Sequence, residues 1–316
     1  MEAERNLAAS NEPGGILVLD KPEGFTSAKA AAKIKKLLSP GKIGHTGTLD
    51  PFATGVLVLC LNEATRVADQ ISCLDKFYVA TLRFGVETDT LDRTGKVTRE
   101  SDRAFPEEDL VDVLNSFAGL RMQTVPRFSA VRVGGRRLYE LSRKGIEVEL
   151  PGREIHIHSI ALSSFRWPEA VIGVSCSKGT YIRQLASDIG DKLGSGAHLS
   201  DLRRTRVGPF TLEQAIRIDG EISAASAAKG IIGLNEALSH LPIAFMVERD
   251  CLAKLKNGQL DPAWERKHRE RLGTCPDAVR IVTDTNRLAA LWWPNSACGG
   301  SSRRLRVFTP GEHARS

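Results

Sequence analysis

The stretch Lys42-Ile-Gly-His-Thr-Gly-Thr-Leu-Asp-Pro-Phe-Ala-Thr-Gly-Val-Leu57 organises the reading of this 316-residue chain. At its centre Asp50 precedes Pro51, whose ring drives the residue before it out of the helical region into an extended one. Gly44, Gly47 and Gly55 permit positive φ or close approach to a ligand. His45, Thr46, Thr48 and Thr54 surround the carboxylate with hydrogen-bonding groups, and Val56-Leu-Val-Leu59 is an apolar run that reads as a buried strand or the start of a helix. The same residue types build ordinary turns, but a turn needs two or three of them. A loop this dense, bordered by apolar sequence, has the pattern of a site fastened to a core.

The composition sets the frame around that loop. With 41% hydrophobic and 26% charged residues the chain can bury a sizeable core, and its length suits two domains. A net charge of +6 favours a polyanionic partner, although proteins that touch no nucleic acid also carry such an excess. Six cysteines (Cys60, Cys73, Cys176, Cys251, Cys275, Cys298) form no CxxC pair, which points to a reducing cytoplasm and away from a zinc site. No apolar stretch approaches the roughly 20 residues of a membrane span, so a cytoplasmic location with no membrane partner is expected. The start of the chain, with Glu2, Glu4 and Arg5, does not resemble a signal peptide.

Residues 1–13 read as a flexible polar tail. Gly15-Ile-Leu-Val-Leu-Asp20 follows as a buried strand ending in a turn, where Lys21 is either a phosphate contact or a solvated turn lysine. Ser27 reads as the N-cap of an Ala- and Lys-rich helix running to about Leu38. Lys76–Phe84 alternates as a strand, with Tyr78, Ala80, Leu82 and Phe84 on one face; a lone tyrosine there is more often core than catalytic. Glu87, Asp89 and Asp92 lie in a polar loop whose spacing fits no calcium site. Pro106 to Phe117 reads as an amphipathic helix.

Two further stretches carry chemistry. Thr124–Lys144 interleaves Arg127, Arg132, Arg136, Arg137, Arg143 and Lys144 with Phe128 and Tyr139 about a Gly134-Gly135 hinge, a pattern suited to RNA, or else to a solvated charged hairpin. His156 and His158 share a strand face but lack a third ligand at a telling distance. Ile172–Gly190 reads as strand, glycine turn and helix, with Tyr181 and Arg183 in the first helical turn. A cation there opposes the helix dipole, a local misfit that suits pairing with a carboxylate such as Asp50. His198–Phe210 adds Arg203, Arg204 and Arg206 and a hairpin.

Taken together, these stretches resemble the bacterial tRNA pseudouridine synthases of the TruB type. The likeness is carried by Asp20-Lys21-Pro22, Gly44–Leu57, Tyr78, Gly85–Asp92, Gly179-Thr-Tyr-Ile-Arg183 and His198–Phe210, in the family's order over residues 15 to about 215. It departs at Val125-Pro-Arg-Phe-Ser-Ala130, where the family usually reads Pro-Pro-x-Tyr-Ser-Ala. The resemblance implies an α+β fold with a mixed, largely antiparallel sheet, flanking helices and a small C-terminal β-rich, PUA-like domain. It places the catalytic domain at 14–245, with a basic RNA-binding insertion at about 124–150, and the PUA-like RNA-binding domain at 246–316. It implies isomerisation of a uridine in the T arm of tRNA, with Asp50 as nucleophile, Arg183 as its ion-pair partner and Tyr78 against the base. His45 would help extrude the base, and Lys21, Thr46, Tyr181 and Leu202 would line or support the pocket. Arg127, Arg132, Arg136, Arg137, Arg203 and Arg204 would contact RNA. tRNA is the expected partner of a monomer, with no protein partner, metal or organic cofactor implied. Two rivals are an RNA-binding protein without catalysis and a hydrolase using Asp50, which would want a second carboxylate.

Overall fold

The computed structural model describes residues 14–218, 220–272, 278–294 and 305–308. The tail expected at 1–13, and Cys275 and Cys298, lie outside them. The apolar runs form the centre of one large mixed sheet, in the order Ile216–Arg217, Gly15–Lys21, Thr54–Leu61, Ala197–Val207, Lys76–Phe84, Glu169–Cys176, Gly152–Arg166, Gly119–Thr124. Its neighbours run antiparallel except at Gly15–Lys21 with Ile216–Arg217 and at Thr54–Leu61 with Ala197–Val207. Val56–Leu59 is thus strand and not helix. The period-2 pattern of Lys76–Phe84 sets its register: Ala80, Leu82 and Phe84 are buried, while Val79 and Arg83 face out.

The helices Ser27–Leu38, Glu107–Asn115 and Ile182–Leu193 bury Ala30, Ile34, Leu110, Leu114, Leu185 and Ile189 in a common core with the sheet. Cores of this kind supply most of the stability of amphipathic helices. The cap of the first helix differs from expectation. Thr26 is the N-cap, its hydroxyl accepting from Lys29 N at 3.0 Å, and Ser27 is turned inward as the first helical residue. Adjacent hydroxyls compete for one cap, and the extended backbone at Thr26 (φ −68°, ψ 152°) decides it.

A second sheet, Ile243–Phe245, Val279–Val282, Leu288–Trp292 and Leu305–Val307, forms the C-terminal β-rich part with the helices Arg249–Lys256 and Pro262–Leu272. Its first strand, Ile243–Phe245, pairs in parallel with Val279–Val282, so this sheet takes in residues just before 246, the boundary that the resemblance implied. Ala278, Leu288, Leu291 and Phe308 pack with Ile16, Val18, Val56 and Val58 on the far face of the large sheet, in one continuous core. The basic insertion is a short hairpin, Arg132–Val133 with Arg136–Arg137, followed by the helix Leu138–Arg143. Gly134 and Gly135 both have positive φ (57° and 80°) at its tip, which explains the glycine pair. Among the described residues no helix is long and apolar enough to cross a membrane.

Candidate active site

Asp50 sits at the mouth of the Thr54–Leu61 strand, on a loop held from outside. Lys21 is fully buried behind it, and its ammonium donates to the carbonyls of Pro22, Phe25 and Pro51. Lys21 is therefore neither a phosphate contact nor a solvated turn lysine. It supports the loop, and burial pulls its pKa down to about 8 against the upward influence of Asp50. Gly55, at φ 101°, lies so close to the neighbouring strand that a Cβ would stand 2.2 Å from the Arg204 carbonyl, so only glycine fits there.

Arg183 reaches this loop from the first turn of the helix Ile182–Leu193. Its Nε stands 2.9 Å from Asp50 Oδ2, and Nη2 donates to Asp50 Oδ1 at 3.4 Å. Nη1 donates to Thr90 O at 2.9 Å and Nη2 to Phe128 O at 3.1 Å. The Arg183 side chain is 6% exposed, whereas that of Asp50 keeps 35% of its surface, so the fork is hidden and the carboxylate presented. Burial pushes the Asp50 carboxyl above its ordinary value; Arg183 opposes that shift and nearby Asp92 adds to it. The misfit of a cation at a helix N-terminus is resolved by this pair.

A cavity of about 820 Å³ opens over the pair, lined by Asp50, Tyr78, Arg183, Thr46, Tyr181 and Leu202. The sheet brings Tyr78 and Leu202 side by side, since Ala80 pairs with Leu202 and Tyr78 with Arg204 on adjacent strands. Burial raises the Tyr78 phenol, opposed by the Arg204 guanidinium beside it. Tyr181 is the N-cap residue of the Arg183 helix, and its backbone is fixed in both directions by the Gln123 side chain, at 2.8 and 3.0 Å. Phe128, Ser129, Tyr139 and Arg143 of the insertion close one side of the cavity. His45 lies on the short strand Ile43–His45 beside Leu59, outside the cavity lining, with Nδ1 buried and unpartnered; burial and Arg204 lower its pKa.

The cations expected to contact RNA divide. Arg127, Arg132, Arg136 and Arg137 are exposed on the insertion. Arg203 is half-buried, bonded to Asp20 at 2.8 Å and Thr54 at 3.2 Å. Arg204 corrects the expectation: it is 2% exposed, and its Nε and Nη2 donate to Val56 O at 2.7 Å and Gly47 O at 3.0 Å. Successive strand residues point to opposite faces, so two adjacent arginines cannot both face solvent where one face is core.

Sequence reasoning missed Asp92. Its Oδ1 accepts from Thr90 Oγ1 (2.9 Å), Thr94 N (2.9 Å) and Thr94 Oγ1 (2.6 Å), while Oδ2 stands 3.5 Å from Arg183 Nη1. The signal was the Thr-x-Asp-x-Thr spacing, with hydroxyls two residues either side of a carboxylate, which suits a fixed ion-pair partner better than a cation loop.

Residues 35–182 match the family model for the N-terminal domain of TruB family pseudouridylate synthases, and residues 183–229 match that for the C-terminal domain of tRNA pseudouridylate synthase B. A tRNA pseudouridine synthase B of Syntrophobacter fumaroxidans is 51% identical over 302 residues, spanning 94% of this chain and 98% of that protein. This chain belongs to the TruB family. A second relative named tRNA pseudouridine synthase B, from Bacillus licheniformis, is 38% identical over 93% of the chain and 97% of its own length. A solved Cbf5–Nop10–Gar1 complex contains a chain similar to this one, with a TM-score of 0.67 and 27% identity over 93% of this chain and 84% of that one. The two TruB-family segments meet between Ile182 and Arg183, so the Asp50–Arg183 pair joins one matched region to the other.

Proposed function

We propose that this TruB-family pseudouridylate synthase isomerises a uridine in the T arm of tRNA to pseudouridine, with Asp50 as the nucleophile. The observation that carries the reading is the presented carboxylate of Asp50 on the hidden fork of Arg183, at the floor of a cavity wide enough for an extruded nucleotide. The reaction breaks the N1–C1′ bond, turns the base and joins C5 to C1′; C5 gives up its proton and N1 gains one, so the product is an isomer of the substrate. Arg183 keeps Asp50 ionised and aimed while it attacks. Tyr78 packs against the base, and with Leu202 it excludes the water that would otherwise hydrolyse the sugar. The exposed arginines of the insertion meet the phosphate backbone, and the C-terminal sheet acts as a PUA-like RNA-binding part.

The hydrolase reading needs a second carboxylate free to protonate a leaving group. Asp92 is the nearest candidate, but it is buried and its oxygens are taken by Thr90, Thr94 and Arg183. The test is pseudouridine formation in an unmodified tRNA transcript, with a second transcript carrying cytidine at the T-arm target. The parent protein is expected to modify only the first, and Asp50→Asn neither. Tight binding of both transcripts without product from the parent would replace the enzyme reading with that of a binding protein.

A further inference from the structure

Two buried side chains outside the Asp50–Arg183 pair hold the Asp50 loop at separate points. Ser27, 2% exposed at the first turn of its helix, accepts from Leu49 N at 2.9 Å and donates to Leu49 O at 3.1 Å. A hydroxyl has one donor and two acceptor lone pairs, so a single Ser27 Oγ satisfies both polar groups of the residue that precedes Asp50. Arg204 spans the loop, with Nη2 on Gly47 O, three residues before Asp50, and Nε on Val56 O in the strand that follows. Neither side chain belongs to the loop it holds, and Leu49 is itself buried.

We infer that Ser27 and Arg204 are positioning residues of the reaction, a two-point clamp that fixes the Asp50 backbone so that its carboxylate meets both Arg183 and the substrate. The inference rests on the reading of Asp50 as the reacting group. Removing the Ser27 hydroxyl leaves the Leu49 N–H and C=O buried without partners, a condition that the loop relieves by shifting. A shift of about 1 Å at a reacting group costs on the order of a hundredfold in rate while leaving distant RNA contacts in place.

The experiment measures single-turnover pseudouridine formation and tRNA Kd for the full-length protein, Ser27→Ala, Arg204→Lys and Asp50→Asn, with thermal unfolding as the check on folding. Ser27→Ala and Arg204→Lys, which keeps the charge but not the fork, are each expected to lower the rate constant roughly 10- to 100-fold with Kd within about twofold. Ser27→Cys, nearly isosteric with a weak donor, is expected to fall between Ser27→Ala and the parent, and it decides by the same split of rate from Kd should Ser27→Ala not fold. Folded variants with parental rates, beside an inactive Asp50→Asn, would overturn the clamp alone. An Asp50→Asn protein that keeps the parental rate would overturn the reading on which the clamp depends.

Discussion

Arg183→Lys separates aim from charge at the centre of the site. The guanidinium serves both oxygens of Asp50 and the carbonyls of Thr90 and Phe128, and it stands 3.5 Å from Asp92. A lysine retains the unit charge but carries it on one ammonium at the end of a flexible stem, and it cannot reproduce the planar fork. Losing one bond to Asp50 and both carbonyl anchors removes about 3.5 to 5 kcal/mol, given about 1 kcal/mol for a net hydrogen bond to a neutral group and about 1.5 to 3 for one to a charge. Expressed in the barrier, that is a fall of roughly 400- to 5,000-fold in the single-turnover rate. The pH profile moves as well. Burial raises the Asp50 carboxyl and the Arg183 charge and hydrogen bond oppose the rise, so a lysine that bonds the carboxylate less well shifts the acid limb to higher pH. The assay is product formed with enzyme in excess over tRNA, measured across acid to neutral pH, together with Kd. A rate within about threefold of the parent would refute the argument that geometry, beyond charge, is what Arg183 supplies.

Lys21 gives a stability test. Its folded pKa of about 8 lies below the ordinary 10.5, so the unfolded chain binds its proton more tightly and the contribution is full above 10.5 and lost as pH falls through 8. The unfolding free energy of the parent should therefore gain about 3 kcal/mol on that of Lys21→Met as pH rises through this window; a flat difference in denaturant titrations would contradict it. On the insertion, replacing Arg132, Arg136 and Arg137 together by alanine should reduce the slope of log Kobs against log salt for tRNA by about 2 to 3 without altering the rate at saturating enzyme. An unchanged slope would remove these side chains from the RNA interface.

The parts of the fold legible in the sequence are those whose signal is local. Lys76–Phe84 was marked by alternation alone and the helix Ile182–Leu193 by its apolar face, with Arg183 betrayed by its conflict with the dipole. Other features depend on packing between distant segments. Lys21 ends an apolar strand in a turn-like Asp-Lys-Pro-Glu-Gly stretch, and only the three carbonyls gathered around its ammonium explain a fully buried lysine. Which of Arg203 and Arg204 turns inward follows from register, and that strand shifts register between Arg204 and Arg206 against its partner. Asp92 and Arg183 meet across the whole middle of the chain; the threonines around Asp92 mark it as a held carboxylate, but which cation it meets follows only from the fold.

The core shared by the two sheets bears on how such a protein can change over time. Ile16, Val18, Val56 and Val58 belong to the strands that carry Lys21 and the Asp50 loop, and their outer face is roofed by Ala278, Leu288, Leu291 and Phe308. The C-terminal part is therefore no interchangeable cassette. A graft of another module after the catalytic domain would bare the underside of the strands on which the chemistry rests, so substitutions on either side of that seam are constrained by the other, and the two parts must be inherited as a matched set.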